Sequence, residues 1–110
     1  MRELRATTVL ALVLALVAMS ATALAATKSV GVKKAGTGYK FTTSTLRIKK
    51  GDTVRWSWSG SIPHNVSGPG FKSKTGTRVA FSRKFTKAGT YRVVCTLHQA
   101  LGQKMTIAVS

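Results

Sequence analysis

Tyr91-Arg92-Val93-Val94-Cys95-Thr96-Leu97-His98 alternates at every residue: Tyr91, Val93 and Cys95 fall on one side, Arg92, Val94 and Thr96 on the other. A period of two is that of a half-buried β-strand, apolar toward a core and polar toward water. The same period recurs on either side of this stretch. Upstream, Val79 and Phe81 alternate with Arg78, Ala80 and Ser82; downstream, Met105, Ile107 and Val109 alternate with Thr106, Ala108 and Ser110. Nearer the start, Leu46 and Ile48 lead into the turn Lys50-Gly51-Asp52, after which Val54, Trp56 and Trp58 alternate with Thr53, Arg55 and Ser57. Lys87-Ala88-Gly89 is a second turn, and Ser57 to Gly70, with Gly60, Pro63, Gly68, Pro69 and Gly70, reads as one long irregular stretch. These runs predict an all-β chain of about six or seven antiparallel strands forming a small sandwich or barrel.

The first residues follow a different pattern. Met1-Arg2-Glu3-Leu4-Arg5 is a basic start, Val9 to Met19 is apolar without a charge, and small residues end in Ala23-Leu24-Ala25-Ala26. This three-part order is that of an export leader, and it predicts a leader helix over 1–25, cleaved after Ala25, ahead of a single domain over 26–110. The apolar stretch is shorter than the roughly 20 residues of a membrane span, so no span is expected after cleavage, with an uncleaved anchor as the rival reading. The two early arginines are not adjacent, and no cysteine stands near Ala25 to carry a lipid. The expected location is secreted, periplasmic or at the cell surface.

Cleavage would remove two arginines and one glutamate, lowering the formal charge from +16 to +15 and leaving Asp52 as the only acidic side chain. So strong a positive field favours anionic partners and speeds encounters with them. Nucleic acid is not expected, because the basic residues are scattered singly along strands and turns and the chain is read as exported. An acidic redox protein or an anionic cell-surface component fits better, with a merely solvated basic surface as the plain alternative. A monomer is expected. A single carboxylate also leaves no acid pair and no catalytic triad, so hydrolysis is not indicated and the chain is not expected to be an enzyme.

A domain of about 85 residues has a thin core and often needs a disulfide or a metal. Cys95 is the only cysteine, so no disulfide can form within the chain. An unpaired thiol in an exported protein calls for a reason, and metal ligation is one. Strand parity puts Cys95 on the apolar side, and His98 follows three residues later in the next loop. The other histidine, His64, stands in Pro63-His64-Asn65-Val66. Each residue alone is a weak sign, since a lone buried cysteine is commonly an inert small hydrophobe. One sulfur and two imidazoles together are the strong donors of a one-electron copper centre with a weak fourth ligand. Zinc accepts the same donors, but a structural zinc site wants a fourth strong ligand, and only Asp52, better read as a turn residue, is on offer.

The segments Leu46 to Trp58, Pro63-His64-Asn65-Val66, Gly89-Thr90-Tyr91 and Cys95 to Val109 resemble those of a cupredoxin of the plastocyanin-like group. The resemblance implies a Greek-key sandwich holding one type 1 copper ion at one end. It implies His64, Cys95 and His98 as equatorial ligands and Asn65 as a hydrogen-bonding tie between the two ligand loops. The family usually places an axial methionine eight residues after the cysteine, and here that position is Gln103, while Met105 is ten on. Gln103 is therefore the expected axial ligand, with Met105 as the alternative and core filling as its simpler role. The resemblance further implies an electron port at the edge of His98, rimmed by Leu97, Ala100 and Leu101. The family's acidic docking patch does not carry over to this basic surface. The implied function is single-electron transfer by Cu(II)/Cu(I) cycling, the alternatives being copper buffering or delivery, or a basic polymer-binding module that carries copper incidentally.

Overall fold

The structure, a computed structural model, describes residues 24–110, so nearly all of the expected leader lies outside the described residues. Ten strand segments follow one another: β1 (Thr27–Val30), β2 (Val32–Ala35), β3 (Gly38–Phe41), β4 (Thr45–Ile48), β5 (Thr53–His64), β6 (Ser67–Gly68), β7 (Phe71–Lys72), β8 (Gly76–Lys84), β9 (Gly89–Val94) and β10 (Lys104–Val109). They form one sheet in the order β1-β5-β8, a second in the order β4-β10-β9-β6-β7, and the hairpin β2-β3. The all-β class expected from the alternating runs is what the chain adopts, as a sandwich and not a barrel, and the excess over six or seven strands lies in short pieces. The stretch 27–41 is rich in lysine and glycine and lacks clean alternation, and β6 and β7 have two residues each.

Two details differ from the sequence reading. The pairs β1-β5 and β4-β10 are parallel, not antiparallel. Each joins strands separated by an excursion to the other sheet, a relation that local patterning does not encode. The stretch from Ser57 is also not irregular throughout, because β5 continues to His64. Ser57 and Trp58 pair with Ala80 and Val79 of β8; the register then shifts between Ser59 and His64, where pairing resumes with Gly76. Pro63 cannot donate to a ladder. It is exposed and lies in that gap, so the strand tolerates it.

Between the sheets the inward positions form one core. Val54, Trp56, Val66, Val93, Cys95 and Ile107 are fully buried. The Trp56 ring stands 6.0 Å from Phe71 and 5.9 Å from Phe81, and Phe71 meets Phe85 edge-on at 5.8 Å. Fully burying a large apolar side chain contributes roughly 1.5–3 kcal/mol, so this cluster is the main source of stability. Every lysine and arginine among the described residues is exposed. Asp52 serves the turn it was assigned to: its backbone N–H donates to Lys49 O at 3.0 Å, and its carboxylate accepts from the N–H groups of Lys49 (2.9 Å) and Ala26 (2.8 Å). This turn lies at the start of β5 and His64 at its end, so the carboxylate and the imidazole occupy opposite ends of one strand.

Candidate metal centre

β5 ends on His64 and β9 ends at Val94, so His64 and Cys95 emerge together at one end of the sandwich. The loop after Cys95 folds back on itself through backbone hydrogen bonds. Cys95 N–H donates to Gln103 O at 3.0 Å, His98 N–H to Cys95 O at 3.2 Å, and Gln103 N–H to His98 O at 3.1 Å. A single 3-10 turn, Gln99–Leu101, fills the loop and ends on Gly102, whose φ of 97° lies in the left-handed region that favours glycine. The loop closes at Cys95 and Gln103, which presents Cys95, His98 and Gln103 toward the end of β5.

One donor atom from each of His64, Cys95 and His98 lies within 4.8 Å of the other two. Cys95 Sγ is 3.5 Å from His98 Nδ1. Gln103 Oε1 lies 3.0 Å from His64 Nδ1 and 3.1 Å from His98 Nδ1. Ligands at about 2.0–2.3 Å around a four-coordinate ion stand roughly 3.3–3.6 Å from one another; the Cys95–His98 spacing falls in that range, and the other pairs of the three lie within 4.8 Å. Cys95 and Gln103 are fully buried, His64 nearly so, and His98 half-exposed. Burial holds the His64 imidazole below its ordinary pKa of 6.5; Gln103 acts against this and His98 with it. A neutral ring is the form that ligates metal.

Asn65 connects the parts. Its Oδ1 accepts from Thr96 N–H at 2.9 Å, and its Nδ2 donates to Thr96 Oγ1 at 2.7 Å and Thr75 Oγ1 at 2.9 Å. Its backbone N–H points at Cys95 Sγ at 3.4 Å, the kind of contact that tunes a metal-bound sulfur. Met105 is placed elsewhere: it is buried in the core, and its sulfur accepts the Trp56 indole N–H at 3.4 Å. Leu97 and Leu101 are exposed at 51% and 54%, and Ala100 is exposed beside them.

Tyr39, which the sequence reading did not single out, packs on both imidazoles, its ring centroid 4.9 Å from His64 and 5.2 Å from His98. Trp58, expected only as core, stands edge-on to His64 at 6.0 Å. Thr75 and Thr96 were also missed. Thr96 had a visible sign, a small hydroxyl directly beside the single cysteine. Tyr39 had none, since it reaches the site from a lysine-rich hairpin far away in sequence.

The profile of the copper-binding proteins of the plastocyanin/azurin family matches residues 26–78. Amicyanin-alpha of Methylorubrum extorquens is 36% identical over 115 aligned positions, covering 89% of this chain and 97% of that protein. Plastocyanin of Scenedesmus fuscus is 32% identical, over 63% of this chain and 85% of its own length. Among solved structures, a methionine-to-glutamine mutant of amicyanin in its Cu(I) form superposes with a TM-score of 0.61 at 31% identity, covering 76% of this chain and 82% of that one.

Proposed function

Since the chain belongs to the plastocyanin/azurin family of copper-binding proteins, and so to the cupredoxins, we propose that it is an exported single-electron carrier with one type 1 site. In this reading His64, Cys95 and His98 would hold the ion, with Gln103 Oε1 as the weaker fourth donor. Copper, when bound, supplies a one-electron Cu(II)/Cu(I) couple. The protein supplies a fixed donor set. Cys95 stands at the end of a paired strand, the Cys95–Gln103 backbone bond closes the loop, and Asn65 fixes the His64 segment against it. Burial of Cys95, His64 and Gln103 keeps water from joining the donors, so they have little freedom to rearrange between oxidation states.

The convergence of Gln103 Oε1 on both imidazoles supports Gln103 as the fourth donor, and the commitment of Met105 sulfur to Trp56 favours it over Met105. An amide oxygen is harder than a thioether and favours the Cu(II) state. The half-exposed His98, framed by Leu97, Ala100 and Leu101, is the route by which the electron leaves. The basic surface steers an acidic partner toward it. Voltammetry with metal analysis tests the reading. A reversible one-electron wave with copper retained after reduction is expected, and copper released on reduction would make the protein a delivery factor instead.

A further inference from the structure

At the end of the sandwich away from the donor cluster, the one acidic side chain of residues 26–110 is nearly buried, with Oδ1 of Asp52 accepting the N–H of Ala26 at 2.8 Å. Ala26 is held on its other side too, its carbonyl accepting Thr53 N–H at 2.9 Å as β1 enters register with β5. Leu24 and Ala25, just before it, are exposed, Leu24 at 93%. Independently, the small residues Ala23-Leu24-Ala25 put the leader's cleavage point at the Ala25–Ala26 bond. The nitrogen that cleavage would free is the same nitrogen that Asp52 already holds.

We infer that Asp52 is the receiving site for a processed N-terminus: hydrolysis of the Ala25–Ala26 bond turns the Ala26 amide into an α-ammonium that forms an ion pair with Asp52 and locks β1 onto β5. This rests on the export reading and is independent of the metal. The step consumes one water. Its oxygen joins the Ala25 carbonyl carbon to give the leader's new carboxylate, and the Ala26 nitrogen gains hydrogens to become the ammonium. An export endopeptidase can reach the bond, because residues 24 and 25 lie outside the sheet.

The side-chain charges around the site single out Asp52 as the partner for an ammonium. Of the side chains that border the same depression, Lys28, Arg47 and Lys49 are basic and Asp52 alone is acidic, with Ser110 also on its wall. Beside Asp52, cleavage exchanges a neutral N–H donor for a charged one, which adds an ion pair to a hydrogen bond whose acceptor is already ionised.

Two measurements on the copper-loaded chain decide it. N-terminal sequencing of the exported protein is expected to begin at Ala26; any other start overturns the inference. Melting is then compared between the chain starting at a free Ala26 and the same chain acetylated on that nitrogen, which keeps an N–H but removes the charge. The free amine is expected to melt higher by several degrees, on the order of 4–8 °C in a domain of this size. In Asp52→Asn the advantage is expected to vanish or change sign. Equal melting of the free and acetylated chains, or an advantage that survives in Asp52→Asn, overturns it. If Asp52→Asn does not fold, the acetylation comparison decides alone.

Discussion

Gln103 is fully buried, yet its two amide atoms are treated differently: Oε1 meets both imidazoles, while Nε2 has no hydrogen-bond partner among the described residues. An unsatisfied buried donor costs about 1–3 kcal/mol, so glutamine here is a poor choice for stability and a sensible one for placing an oxygen. Replacing it with a thioether should favour Cu(I). Gln103→Met is expected to raise the reduction potential, each rise of about 59 mV marking a tenfold change in preference between the two states. Voltammetry of the two proteins checks this, and an unchanged or lowered potential speaks against an axial Gln103. At this scale the sequence was most informative. Cys95 directly follows β9 and His98 comes three residues later in the loop, while Gln103 was reached by counting along the loop of the family that the chain resembles. Tyr39 was hidden because its contacts with His64 and His98 depend on how a hairpin lies across the sheet ends.

Elements position these residues through a few close approaches. Gly38 opens β3 beside the 3-10 turn, and a Cβ added there would lie 2.9 Å from Leu101 Cβ and 3.2 Å from Leu101 O. The hairpin that carries Tyr39 is therefore seated directly against the loop that carries His98 and Gln103. Gly38→Ala is expected to cost about 1–3 kcal/mol by overpacking and to shift the visible spectrum of the copper-loaded protein. Gly60→Ala, where a Cβ meets nothing within 4 Å, should leave the spectrum unchanged. Chemical denaturation and absorption measured on both variants test this. The long alternating strands β8, β9 and β10 were legible because one face of each is buried. The extension of β5 to His64 was not, since Gly60 and Pro63 are strand breakers by local rules and only the bulge opposite β8 accommodates them.

Over the described residues, charge is divided cleanly: the lysines and arginines all face water, and the single acidic side chain of 26–110 is held inside a turn. Rates with an acidic redox partner are expected to fall by about tenfold or more as salt is raised and the field is screened. Stopped-flow kinetics across ionic strength would show it. Acid should act through Asp52, whose carboxyl is held below its ordinary 3.8 first by the Ala26 N–H and then by that of Lys49. The unfolded chain takes up that proton more readily. The stabilisation is therefore complete above the ordinary carboxylate range and is lost as pH falls through the folded value. Melting temperatures below about pH 4 should fall more steeply for the native protein than for Asp52→Asn. The all-β class was readable from alternation, which left sandwich and barrel open, and the family resemblance implied the sandwich. The parallel pairs β1-β5 and β4-β10 were not, because they join segments that no local pattern links.

The central claim is that a thiolate and two imidazoles share one copper ion. The measurement that reaches it most directly is the visible absorption of the copper-loaded chain beside that of Cys95→Ser. One copper per chain with an intense copper–thiolate band toward the red, abolished in Cys95→Ser, is predicted. A colourless copper complex, or a band that persists without the sulfur, would contradict it.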